Sequence, residues 1–298
     1  MAIFINGTFI PCKTMLFDND ISIALLPLSH MKEHPLLKET ELPNAIKSHA
    51  SEYEFCIISE RDELRYEGVW DGVTCIFGIK YDPCGDYYIG EFKNWMQHGQ
   101  GCFYGKDGFF QRGQWIEDNL EGRSSISYPD GKVFNGEWNE KTQSGEGKST
   151  WPDGDVYEGT YENGKRHGRG YYKNHLGESY LGEWKDGYCH GNGESYDKDG
   201  NFYRGEWRYN LMDGKGEYQY KDGRSYNGSF RRDVKDGYGV YKWTDGDVYK
   251  GTWKNGKRDG KGIKIKGNVA KETYFVHNRK VSEKTVPLRG RSSKRIVR

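Results

Sequence analysis

The chain has 298 residues, 34% of them hydrophobic and 15% aromatic, with 41 glycines and a net charge of +1. A thick core of Leu, Ile and Val is excluded, because the apolar material is mostly Tyr, Trp and Phe, rings that bury large areas while keeping a polar edge wet. Residues 66–263 carry 28 basic and 32 acidic side chains, against 11 and 2 in residues 264–298. The middle of the chain therefore has no positive field to neutralise phosphates, and nucleic-acid binding is not expected there.

Residues 1–65 are expected to form a small α+β segment or a cap. Residues 3–10 place two short β-prone runs around Asn6-Gly7, a hairpin signal. Residues 21–28 are apolar and compatible with strand or helix. Pro43-Asn44 signals a helix start, and Phe55-Cys56-Ile57-Ile58 a strand. The six cysteines, Cys12, Cys56, Cys75, Cys84, Cys102 and Cys189, have no CxxC spacing and are expected to be reduced thiols of an intracellular, cytoplasmic protein. Cys75, Cys84, His98 and Cys102 match no common zinc spacing, so no metal is expected. No apolar run is long enough to span a membrane and the N-terminus has no signal-peptide pattern, so neither a transmembrane helix nor a leader is expected.

From Tyr66 onward a Tyr-x-Gly-x-Trp pattern, strict or relaxed, restarts at Tyr66, Tyr88, Gln111, Phe134, Tyr157, Tyr180, Tyr203, Tyr226 and Tyr249, first after 22 residues and then every 23. A fixed period of this kind indicates stacked supersecondary units. In each unit the aromatic and glycine positions alternate with polar ones at period two, a strand with one aromatic face. Asn163-Gly164 then reads as a turn, and Gly168, Gly170 and Tyr172 as a second strand. Each unit is a β-hairpin, and Asp-Gly pairs such as Asp153-Gly154 lead into the next. Nine hairpins predict an all-β repeat: an elongated, single-layer, twisted antiparallel sheet in which glycines leave room for rings to lie across it. The expected divisions are 1–65, a cap; 66–263, nine repeats; 264–280, a degenerate C-terminal cap around Tyr274; and 281–298, a basic flexible tail.

Tyr180-Leu-Gly-Glu-Trp184 with Gly187 and His190-Gly191-Asn-Gly193 resembles the MORN repeat (membrane occupation and recognition nexus). So do Tyr157-Glu-Gly-Thr-Tyr161 with His167-Gly-Arg-Gly170, and Tyr249-Lys-Gly-Thr-Trp253 with Asp259-Gly-Lys-Gly262. The resemblance implies the same hairpin stack and roles as scaffolds or adaptors in cytoskeletal, ciliary and membrane-junction assemblies. It also implies tail-to-tail homodimers in some relatives and phospholipid binding in some. The copies at Tyr66 and Gln111 depart from the pattern, through Cys75-Ile76 in place of His-Gly and through the loss of the second glycine in Glu121-Gly-Arg-Ser124.

No catalytic residue, cofactor or metal is expected. His98, His167 and His190 share one column of the repeat with Asp213, Asp236 and Asp259, and a catalytic group is not spread over copies in this way. Asp153-Gly-Asp155 and Asp245-Gly-Asp247 read as turns rather than calcium loops. A single-layer sheet leaves rings uncovered, so the expected function is a non-enzymatic scaffold whose aromatic groove binds a helical or extended protein segment. Its candidate residues are Trp115, Trp138, Tyr157, Tyr161, Tyr180, Trp184, Tyr203, Trp207, Tyr226 and Trp253. The alternatives are a peripheral tether to an anionic membrane through Arg289, Arg291, Lys294, Arg295 and Arg298, and an accessory module of an enzyme complex.

Overall fold

The computed structural model describes residues 2–5, 8–11, 13–17, 21–37, 43–47, 52–60, 63–139 and 142–287. These fall into two compact units, residues 1–152 and residues 153–298.

In the first unit, β1 (Ala2–Ile5) pairs antiparallel with β2 (Thr8–Pro11), as the apolar runs around positions 6–7 predict. A separate ladder runs through β3 (Lys13–Phe17), β4 (Ile21–Pro27), β5 (Glu54–Glu60) and β6 (Glu63–Trp70), each antiparallel to the next. Residues 21–27 of the ambiguous run are thus a strand, and Phe55–Ile58 lies inside another. The ladder continues without a break into the first repeats. The N-terminal segment therefore extends the same sheet.

A 3₁₀ turn, Leu28–Glu33, and a short helix, Asn44–Lys47, lie between β4 and β5. The carbonyl of Pro43 accepts from the amides of Ile46 and Lys47, so the helix begins where the sequence places it. Leu26, Met31, Leu37, Ile46, Phe55, Val69, Phe77 and Ile79 form one buried cluster. The registers Val69↔Phe77 and Ile79↔Ile89 put these side chains on the face opposite Tyr66, Trp70 and Tyr88. On that covered face His34 Nε2 lies 2.7 Å from Glu67 Oε2, which also accepts from the Tyr81 hydroxyl at 2.8 Å. The Leu36 amide donates to His34 Nδ1, which leaves the ring proton on Nε2 to donate to the carboxylate.

The second unit is a run of antiparallel hairpins from Val156–Glu162 with Lys165–Lys173 to Val269–Val276 with Arg279–Val286. Two-residue turns join the strands of each hairpin with both φ positive, as at Asn163 and Gly164 (51° and 74°) and at Tyr209 and Asn210 (51° and 65°). This mirror-image turn matches the right-handed strand twist. The second turn residue also reaches back to the preceding hairpin: Asn210 Oδ1 accepts from the Cys189 amide at 2.7 Å, and Asp233 Oδ1 from the Met212 amide at 2.8 Å. Between hairpins the aspartates act as turn formers, as expected; Asp245 Oδ1 accepts from the Asp247 amide at 3.0 Å.

The sheet outlasts the recognisable pattern. Arg279–Val286 is a strand paired with Val269–Val276, so residues 281–286 belong to the sheet rather than to a flexible tail. Phe275 takes the place that Trp253 holds one hairpin earlier and is buried like it.

Candidate binding groove

On the aromatic face of the second unit the rings form one continuous zigzag. Tyr157, Trp184, Tyr180, Trp207, Tyr203, Phe230, Tyr226, Trp253, Tyr249 and Phe275 meet in turn, edge to face, with centroids 5.1–5.6 Å apart. Edge-to-face contact sets the positive rim of one ring against the negative face of the next. Each leading tyrosine donates its hydroxyl to the carbonyl three residues on: Tyr157 to Thr160 at 2.9 Å, Tyr180 to Glu183 at 2.8 Å and Tyr203 to Glu206 at 3.0 Å. The indoles of Trp184 and Trp207 donate to the carbonyls of Gly170 and Gly193 at 3.1 and 3.2 Å.

These bonds move most of the expected groove residues into the core. Tyr157, Tyr161, Tyr180, Trp184, Tyr203, Tyr226 and Trp253 are all buried, Tyr157 and Tyr226 at 0% exposure; only Trp207 is half-buried. In the first unit Trp115 is buried and Trp138 half-buried. The reason is local. A glycine pair beneath each leading tyrosine lets the ring lie flat on the sheet, and a tryptophan or phenylalanine of the next hairpin closes its open side. Arg289, Arg291, Lys294, Arg295 and Arg298 lie outside the described residues.

The surface above this floor is built by residues that the sequence pattern alone does not single out. Arg166, Cys189, Met212, Lys235 and Arg258 are the register partners of Tyr161, Trp184, Trp207, Phe230 and Trp253, so they share the aromatic face. Arg166 lies 4.2 Å from the Trp184 ring centre, and Arg258 lies 4.3 Å from that of Phe275. Lys235 sits among four rings, 4.6 Å from Tyr241, 5.1 Å from Trp253 and 5.2 Å from Tyr220 and Tyr226, and donates to the Tyr220 hydroxyl at 2.7 Å. Such cages hold a cation through the ring quadrupoles. Between the cations, Met212 packs with Trp207, Tyr218, Tyr220 and Trp243, all partly exposed, against the buried rings. The result is a soft apolar centre with cations at its ends. Burial pushes the Cys189 thiol up to about 12, so it adds apolar surface rather than a nucleophile.

Lys235 makes this surface titratable. Burial lowers its ammonium from the ordinary 10.5 to about 8. Between these values the unfolded chain holds a proton that the folded chain has released, so the contribution of Lys235 to stability rises with pH across this window and is lowest below pH 8. The buried phenols act oppositely: burial raises them, so ionisation of unfolded tyrosines above about pH 10 favours unfolding. Lys235→Met, which copies Met212 one hairpin earlier, is expected to remove the upward slope when urea unfolding is compared at pH 7 and about pH 9.5. An unchanged slope would show that Lys235 is not the titrating group.

The other polar groups serve the hairpins. His167 Nδ1 lies 3.1 Å from Glu162, and His190 packs on the Tyr209 ring at 5.5 Å. Among the described residues the acidic and histidine side chains of Asp153, Asp155 and His175 converge. Asp153 Oδ1 accepts from the Asp155 amide, and Asp155 accepts from Tyr172 and from the His175 amide, which places all three in turn formation. The hydrogen bond to Asp155 raises the His175 imidazole above its usual value. A hollow of about 550 Å³ lies on the opposite face, around Tyr238, Ile263 and Tyr274 with Lys250, Lys261 and Lys284.

No curated protein matches the sequence. Among solved structures the chain is similar to the SAS-4 (dCPAP) TCP domain of Drosophila melanogaster, in complex with a proline-rich motif of Ana2 (dSTIL). The identity is 13% and the TM-score 0.33, over 57% of this chain and 84% of that one. It is also similar to a streptogramin B lyase, at 9% identity and TM-score 0.14, over 94% of this chain and 83% of that one. The MORN repeat family model matches residues 88–109, 134–156, 157–174, 180–202, 203–223, 226–248 and 249–268. Seven of the nine repeats read from the period are matched, and the two left out start at Tyr66 and Gln111, where the pattern departs. With about half of its residues matched, copy after copy in one register, the chain belongs to the MORN-repeat family.

Proposed function

We propose that this protein is a non-catalytic scaffold or adaptor that binds a protein segment along the aromatic face of its second unit. MORN repeats form protein-binding or membrane-associated modules, and the proposal selects the first of these. The observation that carries it is the two-layer build of the face. Beneath lies a rigid floor of hydrogen-bonded rings, of which Trp207 stays partly exposed, and Met212, Tyr218, Tyr220 and Trp243, packed against it, are only partly covered. Aromatic and methionine side chains on a rigid support are the usual anchors of protein interfaces. A membrane tether is the second reading, favoured by the excess of basic residues, 11 against 2, in residues 264–298.

The test is selection of phage-displayed random fifteen-residue peptides on the intact chain, followed by affinity measurement on Met212→Lys. Lysine already stands in this column at Lys235, so the variant keeps the fold while placing charge in the apolar centre. Selected peptides are expected to lose about tenfold or more in affinity with the far-ultraviolet dichroism unchanged. Peptides that bind both forms equally would show that the groove is not the site.

A further inference from the structure

The groove of the second unit has a repeat length that only one regular peptide conformation matches. Each hairpin contributes two strands about 4.8 Å apart, so equivalent side chains recur about every 9.6 Å across the strands. A polyproline II helix rises about 3.1 Å per residue with three residues per turn, a period of about 9.3 Å. The mismatch grows to only about 1 Å over three hairpins. Two turns of α-helix measure about 10.8 Å and drift more than about 3 Å over the same distance. An extended strand repeats about every 6.6 Å and meets successive hairpins with opposite faces.

The column of second-strand residues then prescribes the ligand's side chains. Reading along the hairpins it presents Arg166, Cys189, Met212, Lys235 and Arg258: cation, two apolar positions, cation, cation. Among the described residues no carboxylate pairs with Arg166 or Lys235; their partners are rings, the Gly187 carbonyl and the Tyr220 hydroxyl. Each is a cation on an aromatic bed with no anion of its own.

On the reading that this groove binds protein segments, we infer that its ligand is an acidic, proline-rich segment in the polyproline II conformation, laid across the strands at three residues per hairpin. Acidic residues stand at its first, tenth and thirteenth positions, over Arg166, Lys235 and Arg258. Apolar residues stand at the fourth and seventh, over Cys189 and Met212. In the opposite chain direction the same order is read backwards. Proline at the remaining positions holds the conformation before binding and lowers the ordering cost.

The experiment titrates the intact chain with labelled thirteen-residue peptides, read by fluorescence anisotropy. One pair carries Asp and Leu at these positions with proline elsewhere, one peptide for each direction. A second pair has the same composition with the acidic residues moved by one position. The better in-register peptide is expected to bind about tenfold more tightly than its shifted counterpart, because shifting turns the carboxylates away from the cations. Lys235→Met is expected to narrow that difference. Equal binding of in-register and shifted peptides, or binding of neither, overturns the inference. Library-selected peptides that depend on Met212 but show no three-residue period also overturn it while leaving the groove as the binding site. If no selected peptide depends on Met212, the groove reading itself fails.

Discussion

Gly216→Val is expected to destabilise the second unit by more than about 3 kcal/mol. A Cβ on Gly216 would lie 2.4 Å from the Tyr203 phenol oxygen, and one on the opposing Gly205 would lie 2.5 Å from the Gly216 Cα. The ring cannot retreat. Its hydroxyl is bonded to the Glu206 carbonyl at 3.0 Å, and Trp207 and Phe230 flank it with centroids 5.2 Å away. Either the ring leaves its bed or the two strands part, and both outcomes expose the floor of the groove. Gly177→Ala is the contrast. Gly177 has φ of 90°, and a Cβ there would meet nothing within 4 Å, so the cost is the left-handed backbone alone, about 1 kcal/mol. Urea unfolding followed by tryptophan fluorescence separates the two, and near-equal midpoints would show that the glycine pair is not a packing device.

Tyr203→Ala is expected to cost about 3–5 kcal/mol, the range for a fully buried aromatic ring, since Tyr203 is 2% exposed. Tyr203→Phe keeps the ring and loses only the hydroxyl bond to Glu206, an expected cost of about 1 kcal/mol. The gap between the two variants assigns most of the stabilisation to the ring. In a stack of repeats each hairpin is supported by its neighbours, so the Ala variant is also expected to loosen the hairpins on either side, visible as faster amide exchange at Trp184 and Phe230. Exchange confined to the mutated hairpin would contradict the continuous ring chain.

The hairpin, the turn at Asn163-Gly164 and the glycine–aromatic pairing were legible in the sequence, because period-two alternation, an Asn-Gly turn and the 23-residue step each have one physical reading, whereas turns without glycine such as Tyr209-Asn210 carry no such signal. Exposure was not legible. Tyr157, Tyr180 and Trp184 look like the open face of a thin sheet, but whether a ring stays open depends on what the next hairpin lays against it. That contact, Trp184 on Tyr157, joins residues 27 apart. The cationic column was hidden for a related reason. Arg166, Lys235 and Arg258 follow turn residues and read as solvated turn charges, whereas the bulge beyond each glycine sets them opposite the second aromatic of the preceding strand. The 23-residue step of the column they share with Cys189 and Met212 was the available signal. The N-terminal segment was ambiguous because residues 21–28 are apolar without alternation; pairing with Glu54–Glu60 decides for strand. The last hairpin lost its Gly-x-Gly but kept Thr273 and Phe275 buried on the aromatic face, two residues apart as the strand period requires.

The claim that the aromatic face of the second unit is the binding surface is tested most directly by the methionine methyl signals. The chain has five methionines, of which Met212 lies among the partly exposed residues of the groove and Met31 is 4% exposed in the N-terminal cluster. On titration with a library-selected peptide, the Met212 methyl resonance is expected to shift and saturate with binding while Met31 stays in place. A Met212 resonance that does not move when the peptide is fully bound would contradict the account.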